Sequence, residues 1–233
     1  MLESIMLEGA AACAAALTLD GPAMPRPPVQ ITAELTLVSD YRRGGVTRSD
    51  NNPALQGRVD IKQHSGWSAG AFASSIDSRR GSNAELDLYG AKRVDFGDTQ
   101  ISLGTTAIFF FGGDADPFAT AQASVSHPMG PIDATLAVNY APRQQALNDE
   151  SGLSINLRAR TPLGRIAGAP LTASASIGRS QGEFAMGAKV KLDWSVAVTT
   201  EIGGAEIGLA YVDNDLDGKR GDGAMVFSIG HKF

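Results

Sequence analysis

Cysteine is almost missing from this chain: one residue, Cys13, among 233. A single thiol closes no internal disulfide and builds no thiolate metal site. Histidine is scarce as well, with His64, His127 and His231 only, and aromatics make up 6% of the residues. Positive charge is in the minority, 20 Lys and Arg against 25 Asp and Glu, for a net charge of −5. That balance argues against a nucleic-acid binder, which presents a basic patch. No window holds the roughly 18 uncharged apolar residues that a spanning helix needs. What is present is 43% hydrophobic residues and 27 glycines, too apolar for a disordered chain. The mean hydropathy of −0.06 does not argue against a membrane barrel, whose strands show lipid one face and the lumen the other.

Residues 9–19 read GAAACAAALTL and are followed by GPAMPRPP, which resembles the apolar core and end of a secretory signal. The preceding MLESIMLE carries two Glu and no Lys or Arg, where a signal normally starts basic. The expectation is a degenerate leader over 1–26, cut near Ala23 to Arg26, ahead of one barrel domain over 27–233. A lipoprotein reading through Cys13 is the weaker one, because no Leu precedes Ala11 and Ala12 where lipidation signals have it.

From residue 29 the pattern has a period of two. Ile31, Ala33, Leu35 and Leu37 alternate with Thr32, Glu34 and Thr36, and Leu55, Gly57, Val59 and Ile61 alternate with Gln56, Arg58, Asp60 and Lys62. Only a strand with two unlike faces places residues so. The same code predicts further strands over 67–75, 84–92, 100–110, 118–126, 131–140, 152–160, 170–178, 187–200, 205–212 and 224–233. The fold class that follows is all-β, a transmembrane antiparallel up-and-down barrel of about 12 strands. Alternate connections agree. Those at 64–66, 94–98, 127–130, 161–169 and 202–204 are mostly short and rich in turn residues, whereas 40–53, 76–83, 141–151 and 213–222 are longer and more charged. Short inner turns and long outer loops are the barrel pattern. A soluble sandwich would need bulky side chains on its shared face, but here many apolar positions are Ala or Gly and the opposite face is charged. The last strand ends at Phe233 with Met225, Phe227 and Ile229 in phase, the form of the segment read by the barrel-assembly machinery.

The segments VSDYRRGGVTRSDNNPALQG at 38–57, SGW at 65–67, AGAFASSID at 69–77 and ELDLYG at 85–90 resemble the TorF family of proteobacterial, porin-like outer-membrane proteins. That family shows S-D-Y-x-x-R-G, P-A-x-Q-G, S-G-x-Y-x-G and E-x-D-x-Y-x-G. Gly44 stands where the family has Arg, and Trp67 precedes Ser68 so that the aromatic position is shifted. The motifs cover about the first third of the barrel. The resemblance implies an outer-membrane location and porin activity, with no substrate attached.

The inward register collects the charges Glu34, Arg58, Asp60, Lys62, Glu85, Asp87, Asp133, Arg158, Arg160, Lys189, Lys191, Asp193 and Glu206, which are the expected pore-lining set. They either line a wet passage for small hydrophilic solutes or ions, with weak selectivity from their mixed signs, or pair off and close the lumen of a non-transporting surface barrel. Arg42, Arg43, Arg48 and Asp50 fall in the first long connection. Contact with anionic lipopolysaccharide, folding back to gate the pore, and an ordinary solvated loop are all open for it. Asp213, Asp215 and Asp217 match the front of a calcium loop, but Ala224 occupies the place of the bidentate Glu, so a solvated acidic loop is the favoured reading. No cofactor is expected. No His stands beside Ser and Asn or Asp at the outer rim, so an enzyme is not expected. Phe109, Phe110 and Phe111 together read as part of an aromatic girdle, with Tyr140 and Trp194 less firmly placed.

Overall fold

The computed structural model describes residues 29–233 except Arg220. The leader expected over 1–26, Cys13 included, lies outside the described residues. The elements in chain order are β1 (Val29–Val38), β2 (Arg42–Arg43), β3 (Val46–Thr47), β4 (Ala54–Gln63), β5 (Trp67–Arg79), β6 (Ser82–Phe96) and β7 (Thr99–Phe111). They continue with β8 (Phe118–Met129), β9 (Ile132–Gln144), β10 (Glu150–Ile166), β11 (Ala169–Gly182), β12 (Lys191–Ile202), β13 (Ala205–Asn214) and β14 (Ala224–Lys232). Single 3-10 turns sit at Gln145–Leu147 and Glu183–Ala185.

All strands except β2 and β3 join one closed antiparallel barrel in sequence order, sealed where β1 pairs β14. Closure is what hydrocarbon demands, because a free edge would leave N–H and C=O groups with no water to bond. Twelve spanning strands were expected and twelve form the barrel. The alternation decides which way each strand faces. Leu35, Leu37, Leu55, Leu103, Leu136, Ile177, Val196 and Phe227 are exposed on the outside, while Thr36, Gln56, Ser74, Thr106, Thr120, Ser195 and Ser228 are buried within. A soluble protein does not leave so continuous an apolar skin open to water.

One rim has only tight turns, at 64–66, 97–98, 130–131, 167–168 and 203–204. Each contains a glycine in the left-handed region, Gly66, Gly97, Gly130, Gly168 and the pair Gly203–Gly204, as such turns require. The other rim carries the longer connections 39–53, 112–117, 145–149, 183–190 and 215–223, together with a tight turn at 80–81. Two expected loops are therefore corrected. The 76–83 and 161–169 segments are mostly strand, because β5, β6 and β10 run on past the apolar band to tight turns.

Aromatics ring the outer face near both rims. Trp67, Phe96 and Phe233 lie by the short turns, and Phe111, Tyr140, Trp194 and Tyr211 by the longer loops, all exposed. Lys92, also outward, lays its ammonium 5.2 Å from the Trp67 ring centroid and donates to the Ser65 carbonyl, as a snorkelling lysine does. Phe109 and Phe111 belong to the outer face, but Phe110 does not. It points inward and stacks on Phe118, with centroids 6.2 Å apart, because neighbours along a strand face opposite ways.

An inward hairpin and the passage beside it

The first long connection turns into the barrel. Asp40, Tyr41, Arg42, Arg43, Val46, Thr47 and Ser49 are all buried. β2 and β3 pair as a two-residue hairpin, Arg42 with Thr47 and Arg43 with Val46, across Gly44 and Gly45. Both glycines have positive φ, 55° and 79°, the demand of this turn type. Gly45 has a second reason to lack a side chain: a Cβ there would come within 2.7 Å of both Asn214 Cβ and the Asp213 carbonyl. The hairpin tip thus touches the wall at β13.

The hairpin satisfies itself around one carboxylate. Asp40 accepts from Arg42 Nε at 2.5 Å, Thr47 Oγ1 at 2.5 Å and Ser49 Oγ at 3.1 Å. Arg42, 1% exposed, also donates to the Gly45 and Asp222 carbonyls at 3.0 and 2.6 Å and to Asn51 Oδ1 at 2.8 Å. A buried guanidinium with this many acceptors meets the condition for burying a charge at all.

Wall contacts hold the unit in place. Arg43 reaches β6, with Nη2 donating to Asp87 at 2.7 Å and Nη1 lying 3.3 Å from Glu85. Tyr41 donates its hydroxyl to the same Glu85 at 2.9 Å and meets Phe72 edge-on at 5.9 Å. Burial pushes the Tyr41 phenol well above its ordinary range, against the opposing pull of Arg43, so it stays a donor. On the opposite side, Lys191 on β12 donates to the Gly44 carbonyl at 2.6 Å and Asn214 on β13 to the Gly45 carbonyl at 3.0 Å. Around Tyr41 the lumen is dry, filled by Val38, Phe72, Ile76, Val212 and Val226.

Deeper toward the short turns, Tyr89 spans two strands. It donates to Asp60 at 2.6 Å and accepts from Arg58 at 3.0 Å. Its ring lies over its cross-strand partner Gly70, where a Cβ would sit 2.5 Å from the Tyr89 hydroxyl. The glycine leaves the space that the tyrosine uses.

The hairpin does not fill the barrel. A cavity of about 470 Å³ remains on the β8–β12 side, bounded by the hairpin, by the walls at Gln122, Asn156 and Ser180, and by the apolar caps at Leu147 and Phe184. Three buried side-chain atoms of its lining, Arg48 Nε, Gln122 Oε1 and Asn156 Oδ1, make no hydrogen bond among the described residues. Arg48, Gln122, Asn156, Ser180 and Asp193 line it, a polar wall that suits water.

The structure places the expected pore-lining residues in unlike ways. Glu34, Arg58, Asp60, Lys62, Glu85, Asp87, Arg158, Arg160, Lys191, Asp193 and Glu206 stand on the inward register of the barrel, and Asp133 does so at the exposed short-turn mouth opposite Arg160. Glu206 pairs Lys232 at 2.9 Å, and Lys191 lies 3.8 Å from Asp193. Lys189 is corrected: β12 begins only at Lys191, because Met186 and Gly187 take positive φ after the 3-10 turn, and Lys189 lies exposed in the loop. Arg42 and Arg43 are likewise corrected as candidates for lipopolysaccharide, since both are buried in the lumen. Asp213 accepts from Tyr211 at 2.7 Å and Asp215 from the Leu192 N–H at 2.7 Å. Among the described residues no three His, Cys, Asp or Glu gather as a metal site. His64 is in a turn, His127 meets Thr99 Oγ1 at 2.9 Å, and His231 packs on Phe233 at 4.7 Å on the outer face.

The closed barrel, its apolar skin and its polar interior define a porin-like β-barrel of the outer-membrane type. The chain belongs to the family described as "Bacterial protein of unknown function (Gcw_chp)", whose model matches residues 22–230. That match does not by itself confirm the resemblance to the TorF family. No curated protein matches the sequence. Among solved structures it is similar to the KdgM porin, at 7% identity over 87% of this chain and 98% of that one, with a TM-score of 0.60. It is also similar to the NanC porin, at 12% identity over 88% and 99% and a TM-score of 0.54. A third is the KdgM porin in complex with disordered oligogalacturonate, at 8% identity over 87% and 97% and a TM-score of 0.55. At these identities the likeness is one of fold.

Proposed function

We propose that this protein is an outer-membrane channel through which small hydrophilic solutes or ions diffuse passively, past a constriction made by the first long connection. The observation that carries this reading is the cavity of about 470 Å³ beside the hairpin, walled by polar side chains such as Gln122, Asn156 and Ser180. A protein that only needed to fill its lumen would have no use for a polar-walled space of this size. The resemblance to the TorF proteins and the shared fold with porins support the reading, as does the outer skin, which suits contact with lipid and lipopolysaccharide. In the same reading the strand ending at Phe233 is the segment offered to the barrel-assembly machinery.

A second reading keeps a specific observation of its own. The dry cluster about Tyr41 and the ion pairs of Arg43 would serve a non-transporting surface barrel whose lumen is closed. Single-channel recording in planar lipid bilayers separates the two. The channel reading expects small, discrete conductance steps from the purified, refolded barrel. Membranes that stay silent after insertion is verified by protease protection would favour the closed barrel.

A further inference from the structure

Most charges that line the cavity are already neutralised. Arg42 has Asp40 at 2.5 Å, Arg43 has Asp87 at 2.7 Å and Glu85 at 3.3 Å, Lys191 has Asp193 at 3.8 Å and Arg80 has Asp116 at 3.7 Å. Arg48 differs. It follows β3 on the inward hairpin, borders the cavity, and its side chain has no hydrogen bond and no carboxylate within 4 Å among the described residues. Its backbone is fixed at both ends, the N–H donating to the Tyr41 carbonyl at 2.6 Å and the carbonyl accepting from Asp77 at 2.8 Å. The Arg48 backbone is therefore fixed in the hairpin, and its part-buried guanidinium borders the cavity with no carboxylate paired to it among the described residues.

One charge of the other sign also borders the cavity without a cation. Glu183, on the rim, accepts only from Asn148 Nδ2, at 3.2 and 3.3 Å in an exposed setting. Salt screens a rim charge over roughly 8 Å at physiological strength. A charge inside a narrow, low-dielectric passage is screened far less, so Arg48 weighs more than Glu183 in the potential that a passing ion meets.

We propose that Arg48 makes this cavity a subsite for small anions and gives the passage an anion preference. The inference rests on the channel reading above. Amide and hydroxyl groups of the wall, Gln122, Asn156 and Ser180 among them, would replace part of the water around an anion held against the guanidinium.

The test is the reversal potential of the reconstituted full barrel in a potassium chloride gradient, for the wild type, Arg48→Lys, Arg48→Gln, Arg48→Glu and Glu183→Gln. A heat-modifiable gel shift confirms that each variant has folded. The expected result is chloride preference in the wild type, kept in Arg48→Lys, lost in Arg48→Gln and inverted in sign in Arg48→Glu. Glu183→Gln should leave the chloride preference in place and deepen it slightly. If Arg48→Glu does not fold, the neutral and conservative variants decide the matter. A wild type that conducts but prefers potassium, or an Arg48→Gln that keeps the wild-type reversal potential, overturns the role of Arg48 and leaves the channel standing. No conductance in any folded variant overturns both.

Discussion

Arg43→Met tests what holds the hairpin inside the barrel. Arg43 joins the hairpin to two carboxylates of β6, Asp87 at 2.7 Å and Glu85 at 3.3 Å, whose side chains are 7% and 1% exposed. Removing only the cation takes this counter-charge from two buried carboxylates on one strand face. Breaking a buried ion pair from one side costs about 3–5 kcal/mol, which is a shift of roughly 10²- to 10³-fold or more in a local equilibrium at 1.4 kcal/mol per decade. The molecule can relieve this by letting the hairpin leave, since water then reaches Glu85 and Asp87. The expected outcome is a larger single-channel conductance and rapid trypsin cleavage after Arg42 and Arg48. The triple variant Arg43→Met, Glu85→Gln, Asp87→Asn removes the stranded charges, so it should recover most of the wild-type conductance and protection. An Arg43→Met protein with unchanged conductance and full protection would refute the claim that this ion cluster anchors the hairpin.

Three further predictions address other parts of the account. Asp40→Ala strips the counter-charge from Arg42, so the hairpin should loosen by about 3–5 kcal/mol, read as faster proteolysis after Arg43 with the barrel itself intact. Gly70→Val drives a methyl into the space of the Tyr89 hydroxyl, 2.5 Å from where a Cβ would lie. Overpacking of that kind costs about 1–3 kcal/mol, to be measured by urea unfolding in lipid vesicles, and equal stability would mean that Tyr89 is free to move aside. The folded barrel should run at a different apparent mass from the boiled one on a mildly denaturing gel, and identical mobility would speak against a closed barrel.

The strands were legible because half-buried strands in lipid must alternate, and in β1 and β4 even the boundaries agree with the pattern, Val29–Val38 and Ala54–Gln63. Inward charges such as Asp60 and Lys191 were legible for the same reason, since a period of two assigns a face to every residue. Where strands outrun the apolar band the signal fades: in β5 the outward positions turn polar at Ser75 and Asp77, and in β10 residues 162–166 are exposed on both faces. The hairpin was hidden for a different reason. Strands of two residues have no periodicity, and Arg42 and Arg43 look like a solvated loop. The signal that would have found it is the Gly44-Gly45 pair, a two-residue turn between short segments. Val38 and Val226 give another clue, as apolar residues on the face that is polar elsewhere, and they mark where the hairpin packs. Arg48 shows no such mark, because its lack of a partner is a property of three dimensions.

The central claim is that hydrocarbon covers the outer face, and the chain's two tryptophans report on it directly. Trp67 and Trp194 both point outward, 56% and 39% exposed, near opposite rims. Fluorescence of the barrel reconstituted in vesicles of brominated lipid should be strongly quenched relative to ordinary lipid, while aqueous iodide should have little effect. Emission that ignores the bromine and is quenched by iodide would place both rings in water and contradict the account.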